Sequence, residues 1–229
     1  MPWVDVDEPY TKPPRLQPID PPGDWSGSLA IDRGWAELVD VVAGPDPAPD
    51  LAGCTELTVT ESVVTGLTGV EAGLTIEARR SRLGDADLSQ ASIRSLIGVR
   101  LDGCKLTGTD LAGARLTDVE LRRCSLRYTN LRMARLERVR FVECTLDEVD
   151  AYEAEATDVE FVDTALNEVS VDRLRAERVD LRGATSLSLT AIGSLAGCLI
   201  DETKLMALAY PLAFAAGLGI ERDPIDEPG

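Results

Sequence analysis

The chain has 229 residues, with 40 Asp or Glu against 23 Lys or Arg, no histidine and a formal net charge of −17. That balance repels nucleic-acid phosphate, so direct nucleic-acid binding is not expected. The missing histidine removes the commonest general base and metal ligand. Without a CxxC, a glycine-rich phosphate loop or a G-x-S-x-G elbow, no nucleophile–base pair or ligand set can be assembled, and the reading is of a non-enzyme with no cofactor and no metal.

Residues 1–50 hold 10 of the 13 prolines and all three tryptophans, Trp3, Trp25 and Trp35. Clusters such as Pro13-Pro14 and Pro21-Pro22 forbid regular structure, while the aromatics argue against a free linker. The expectation is an arm that wraps the first coil of residues 51–190 and hides its open edge, with residues 35–42 as the capping strand. The functional alternative is a partner-binding arm. The opening residues carry no basic n-region and no apolar h-region, so no secretory signal is expected. No apolar run reaches the ~18 residues of a membrane span, so no membrane contact is expected.

Residues 51–190 are organised by a five-residue beat. From Leu101 to Leu181 every fifth residue is apolar, 17 positions in succession. At 44% hydrophobic content chance gives this about once in a million tries, so the beat is structural. The residue two before each centre is also small or apolar. A period of five is neither helical nor extended; it demands a turn in every repeat and signals stacked repeats. Val99, Val119, Val139, Val159 and Val179 recur every 20 residues, as do Cys104, Cys124 and Cys144 with Thr164 next. Four repeats therefore close one coil, and the fold class is an all-β, four-sided solenoid with coils about 4.8 Å apart. Residues 99–187 are regular and 51–98 degenerate. In the degenerate part Leu57, Ser62 and Leu67 keep the spacing, with Thr55, Thr60 and Thr65 two before them. The step from Ile93 to Leu101 is eight residues and reads as three extra residues looped out. Ala154 and Ala156 predict a thin spot in the core. The five cysteines, three in one interior column, read as free thiols in a reducing cytoplasm.

Ala86-Asp87-Leu88, Thr109-Asp110-Leu111 and Thr129-Asn130-Leu131 resemble the A(D/N)LXX motif of the pentapeptide-repeat family. The resemblance implies a right-handed quadrilateral β-helix. Some members of that family mimic DNA and bind DNA gyrase, and the quinolone-resistance proteins among them dimerise through a C-terminal segment.

Residues 191–229 leave the register as a helical cap and tail. Asp201-Glu202-Thr203 reads as a helix start; Pro211 is expected to open a second short helix through Ala216, stopped by Gly217. Leu205, Leu208, Leu212, Phe214 and Leu218 form an apolar set that either closes the last coil or makes a homodimer contact.

Charge is unevenly placed. Residues 122–140 hold seven arginines and one acid, whereas residues 143–172 hold eleven acids and no base. Stacking at spacing 20 pairs Arg123 with Glu143, Arg127 with Asp147, Arg135 with Glu155, Arg138 with Asp158 and Arg140 with Glu160. From the other side it pairs Arg173, Arg175 and Arg178 with Glu153, Glu155 and Asp158. Glu148, Asp150, Asp163, Glu168 and Asp172 are left over and form the candidate partner-binding patch, with Tyr128 and Tyr152 beside it. The functional reading is a scaffold that binds a protein partner. The alternative is an acidic DNA mimic acting on DNA gyrase.

Overall fold

The computed structural model describes residues 10–17, 28–32, 34–45, 48–192 and 195–220; Trp3, Trp25, Pro21-Pro22 and residues 221–229 lie outside the described residues. The chain winds as a parallel β-solenoid of about eight turns with one short C-terminal helix. Along one side, strands Ser92–Asp102, Arg115–Arg122, Arg135–Val142, Glu155–Ser170 and Arg175–Thr190 stack in that order. Leu96 lies over Leu116, then Leu136, Ala156 and Ala176, each 20 residues on.

The five-residue beat is a burial pattern with a turn attached. The inward positions of the regular repeats are buried in one continuous core, save the half-buried Phe161, Leu174 and Ala176, and the column Val99, Val119, Val139, Val159 and Val179 is no more than 4% exposed. Phe141 stacks on Phe161 with ring centroids 5.0 Å apart. The turn falls two residues after each centre. Asp118, Arg123, Tyr128 and Met133 and the residues at every fifth position onward to Arg178 all have left-handed φ between 47° and 56°. Left-handed backbone costs a non-glycine residue of order 1 kcal/mol. In the first regular coil these corners are glycines, Gly98, Gly103, Gly108 and Gly113.

A second rule governs some inward positions two before a centre. The Cys144 N–H donates to Thr164 Oγ1 at 3.2 Å and the Cys124 N–H to Cys144 Sγ at 3.4 Å. Farther up, the Ser62 N–H donates to Ser81 Oγ at 3.1 Å and the Val41 N–H to Ser62 Oγ at 3.0 Å. Each of these side chains hands its own proton to the carbonyl two residues earlier, as Thr164 does to Val162 at 2.9 Å and Ser62 to Thr60 at 2.7 Å. The hydroxyls and thiols thus replace ladder bonds lost at the corner, which keeps the buried N–H groups satisfied. All five cysteines are free thiols.

The early coils differ from the reading by spacing. Leu57 and Ser62 are not repeat centres preceded by Thr55 and Thr60; they take the minus-two place, with buried Val59 and Val64 as centres. The step from Ile93 to Leu101 holds no three-residue loop. Leu96 is a buried centre that stacks on Leu116, while Ser92 bridges Asp110. The corner between Ile93 and Leu96 is therefore shortened, and residues 92–102 run on as one strand. Leu57 over Ile76 over Ile93, beside Val59 over Ala78 over Leu96, shows the narrower coil widening into the regular one.

The parallel ladder begins at Trp35, where Trp35–Val39 pairs with Glu56–Thr60; on its other side Ser28–Asp32 pairs with it antiparallel. At the alanine-rich coils a wholly apolar cavity of about 80 Å³ lies among Phe141, Ala151, Ala154, Ala156 and Phe161. At the far end one helix, Glu202–Ala215, packs on strand Arg175–Thr190. Asp201 caps it, accepting the Lys204 N–H at 2.8 Å. Pro211 does not open a second helix: it sits inside this one. Gly217, at φ 72°, ends it, as its N–H donates to the Phe214 carbonyl and that of Leu218 to Ala213.

Candidate interaction surfaces

The outward faces are laced by ion pairs between coils. Arg127–Asp147 (3.0 Å), Arg135–Glu155 (3.2 Å), Arg140–Glu160 (2.9 Å), Arg173–Glu153 (2.9 Å) and Arg175–Glu155 (3.0 Å) join the partners that spacing 20 predicts. Two arginines choose the other neighbour. Arg123 bonds Asp102 at 2.5 Å rather than Glu143. Arg138 takes Asp118 with both carboxylate oxygens, at 2.6 and 2.8 Å, and leaves Asp158 to Arg178. These forks hold the Asp118 and Asp158 carboxyls below the usual Asp range.

These choices redraw the acidic patch. Asp150 is not free: Arg132 bonds it at 2.8 Å. Arg132 also lies over the Tyr152 ring at 4.4 Å, and Arg173 covers that ring and donates to its hydroxyl. Glu143, released by Arg123, is an acid that spacing 20 assigns to a pair. It occupies the corner next to Asp163, while Glu148 occupies the corner next to Glu168, as the Glu143 N–H to Val162 and Glu148 N–H to Asn167 carbonyl bonds place them. Two adjacent corner columns thus stack like charge on like, and no ion-pair partner faces these four acids among the described residues. Tyr128, exposed, tops the second column with Arg127 over its ring at 5.2 Å. Asp172 is half-buried at the coil below Tyr152, where its charge bears on Arg173.

The C-terminal set divides by face. Leu208 is 1% exposed and Leu212 packs beside it on the core, which plugs the solenoid end. Leu205, Phe214 and Leu218 point outward, joined by Met206 and Tyr210; Met206 is 71% and Phe214 80% exposed. No charged side chain lies between Leu205 and Ala215. Among the described residues no helix is long and apolar enough to cross a membrane, and no three of Cys, Asp or Glu gather in a way that would hold a metal ion.

Residues 10–17 do not wrap the first coil; they lie along the side of the solenoid. Tyr10 donates its hydroxyl to the Gly197 carbonyl at 3.2 Å, the Lys12 N–H donates to Asp158 Oδ1 at 3.1 Å and the Arg15 N–H to Asp118 Oδ1 at 2.9 Å. Thr11 is buried, while Lys12, Pro13, Arg15 and Gln17 are exposed. The segment thus climbs the column Asp118–Arg138–Asp158–Arg178 from the C-terminal end.

Parallel coils of four five-residue sides, inward pairs and left-handed corners define the class: a β-solenoid built from pentapeptide repeats. Residues 94–171 match the family model described as pentapeptide repeat region. Solved structures of low identity align with it. A trypsin-treated form of QnrB1, a plasmid-mediated fluoroquinolone resistance protein, is 16% identical over 79% of this chain and 100% of that one, with a TM-score of 0.31. The pentapeptide repeat protein Rfr23 from the cyanobacterium Cyanothece 51142 is 18% identical over 50% of this chain and 64% of that one, with a TM-score of 0.26. HetL from Nostoc sp. Strain PCC 7120, involved in heterocyst differentiation regulation, is 13% identical over 72% and 90%, with a TM-score of 0.26. No curated protein matches.

Proposed function

We propose that the protein is a non-enzymatic scaffold that binds a protein partner, and that its outward C-terminal helix face joins two copies. The observation that carries this is the charge-free apolar stripe of Met206, Tyr210 and Phe214, spaced four residues apart on one side of a helix whose opposite side plugs the core. Contiguous exposed apolar surface marks interaction sites. At net charge −17 two copies repel each other over most of their surface, so a contact between them is best made where charge is absent. Light scattering over a wide concentration range tests this. The expected mass rises from one chain to two, and Met206→Ser with Phe214→Ser holds it at one. A single-chain mass at every concentration rejects the reading.

A second reading, an acidic DNA mimic acting on DNA gyrase, is favoured by one observation: the stacked pairs Glu143/Asp163 and Glu148/Glu168. Like charges directly opposed are unfavourable and are kept for a reason. Two free acids per coil approach the about three phosphate charges that DNA presents in the same rise. Supercoiling by purified gyrase is expected to fall with added protein and to recover when the four acids are changed to amides. Equal inhibition by the amide variant removes this patch as the site.

A further inference from the structure

The corner column that carries the N-terminal segment has a repeat matched to one backbone conformation. Asp118 and Asp158 stand two coils apart, about 9.6 Å at strand spacing. The donors that meet them, the Lys12 and Arg15 N–H groups, are three residues apart. Three residues of polyproline II span about 9.3 Å and return to the same side. Pro13 and Pro14 sit between the two donors and fix φ in that range. The same module occurs twice: Arg138 forks onto Asp118 and bonds Glu137, and Arg178 forks onto Asp158 and bonds Glu177. Four carboxylates against two guanidiniums leave the column net negative, facing Lys12 and Arg15. The side chains of Lys12, Pro13 and Arg15 are exposed, so the column reads backbone N–H spacing and positive charge rather than side-chain shape.

We propose that this column is a docking track for an extended, basic, proline-containing segment of a partner protein, and that residues 10–17 fill it in the isolated chain. The track is separate from the helix face, and its test does not depend on the oligomeric state. Held in cis, the segment competes at an effective concentration of order millimolar, so an added peptide gains access only once the cis contact is weakened.

The probe is a fluorescent synthetic peptide with the sequence of residues 8–18, added to the full chain and followed by anisotropy. In the full chain carrying Lys12→Pro and Arg15→Pro, both backbone donors are gone while the extended form remains, and the peptide is expected to bind at least tenfold more tightly than to wild type. Adding Asp118→Ala and Asp158→Ala to that background returns binding to the wild-type level. A peptide with glutamates in place of Lys12 and Arg15 does not bind. Equal binding to all three proteins, no binding to any, or equal binding of the glutamate peptide overturns the proposal. Amide exchange gives an independent reading: protection at Lys12 and Arg15 is expected in wild type and lost in the Asp118→Ala, Asp158→Ala chain. Exchange at the same rate in both overturns it as well.

Discussion

Arg138 grips Asp118 through two parallel bonds of 2.6 and 2.8 Å, a bidentate fork and the strongest form of charge-assisted pairing. Arg178 repeats it on Asp158 at the same distances. One corner column is thereby divided into two closed dyads instead of one continuous ladder, and in each the Oδ1 that accepts the arginine Nε–H also accepts a backbone N–H of the N-terminal segment.

Acid should loosen the fold through these dyads. Both carboxyls are held below the ordinary Asp value of 3.8 by the arginine bonds. A group whose folded value is depressed contributes stability above its unfolded value and loses it as pH falls through the folded value. Chemical denaturation from pH 7 downward should show full stability to about pH 4 and decline below it. Asp118→Asn and Asp158→Asn are expected to be less stable than wild type at pH 7 and to converge with it in acid. A constant gap across the range would assign the loss to something other than ionisation.

The hydroxyl and thiol rungs predict an asymmetric mutational response. Thr164→Val leaves the Cys144 N–H buried without its acceptor, at a cost of about 1–3 kcal/mol. Thr164→Ser keeps the acceptor and should lie close to wild type. Denaturant midpoints of the two variants check the contrast.

Filling the cavity should stabilise. Ala156→Val places two methyl groups beside an apolar space of about 80 Å³. At roughly 24 cal/mol per Å³ this gives about 1 kcal/mol, a rise in Tm of about 2–4 °C for a chain of this size. A fall in Tm would show that the cavity walls do not yield there.

Opposite sides of the C-terminal helix should behave differently in the monomer. Leu208, sealed against the solenoid end, should cost about 2–5 kcal/mol as Leu208→Ala. Phe214→Ala, on the outer side, should stay within about 0.5 kcal/mol.

Burial pushes the half-buried Cys198 thiol up to about 11. Since the thiolate is the nucleophile, alkylation of Cys198 in the native chain should be slow at pH 8 and accelerate toward pH 11. Rapid modification at neutral pH would mean that the last coil opens readily.

Much of this fold was legible because one physical demand, an inward pair every five residues, repeats without interruption from Leu101 onward. Spacing 20 also placed most ion pairs, since parallel stacking puts residues of one column opposite each other. It misplaced Arg138 because its column offers an acid on either side, Asp118 and Asp158, and Arg123 because Asp102, one position off its column, is within reach; bond geometry rather than spacing decides. The same choice freed Glu143 and occupied Asp150. The early coils were misread because threonine is small enough to pass for an inward residue; Val59 and Val64 fill that role. The path of residues 10–17 left no trace in composition, as its anchors are backbone N–H groups, which every residue but proline carries.

The antiparallel strand Ser28–Asp32 has a consequence for growth. A stack of parallel coils is its own template, and an open end invites another copy to extend it indefinitely. Among the described residues one end finishes in a strand of reversed direction, which offers a newcomer the wrong polarity for continuing the stack, and the other is stoppered by Leu208. Head-to-tail filaments are thus discouraged at both ends, and the pairing proposed through the helix would relate two rods by a two-fold axis that closes on itself.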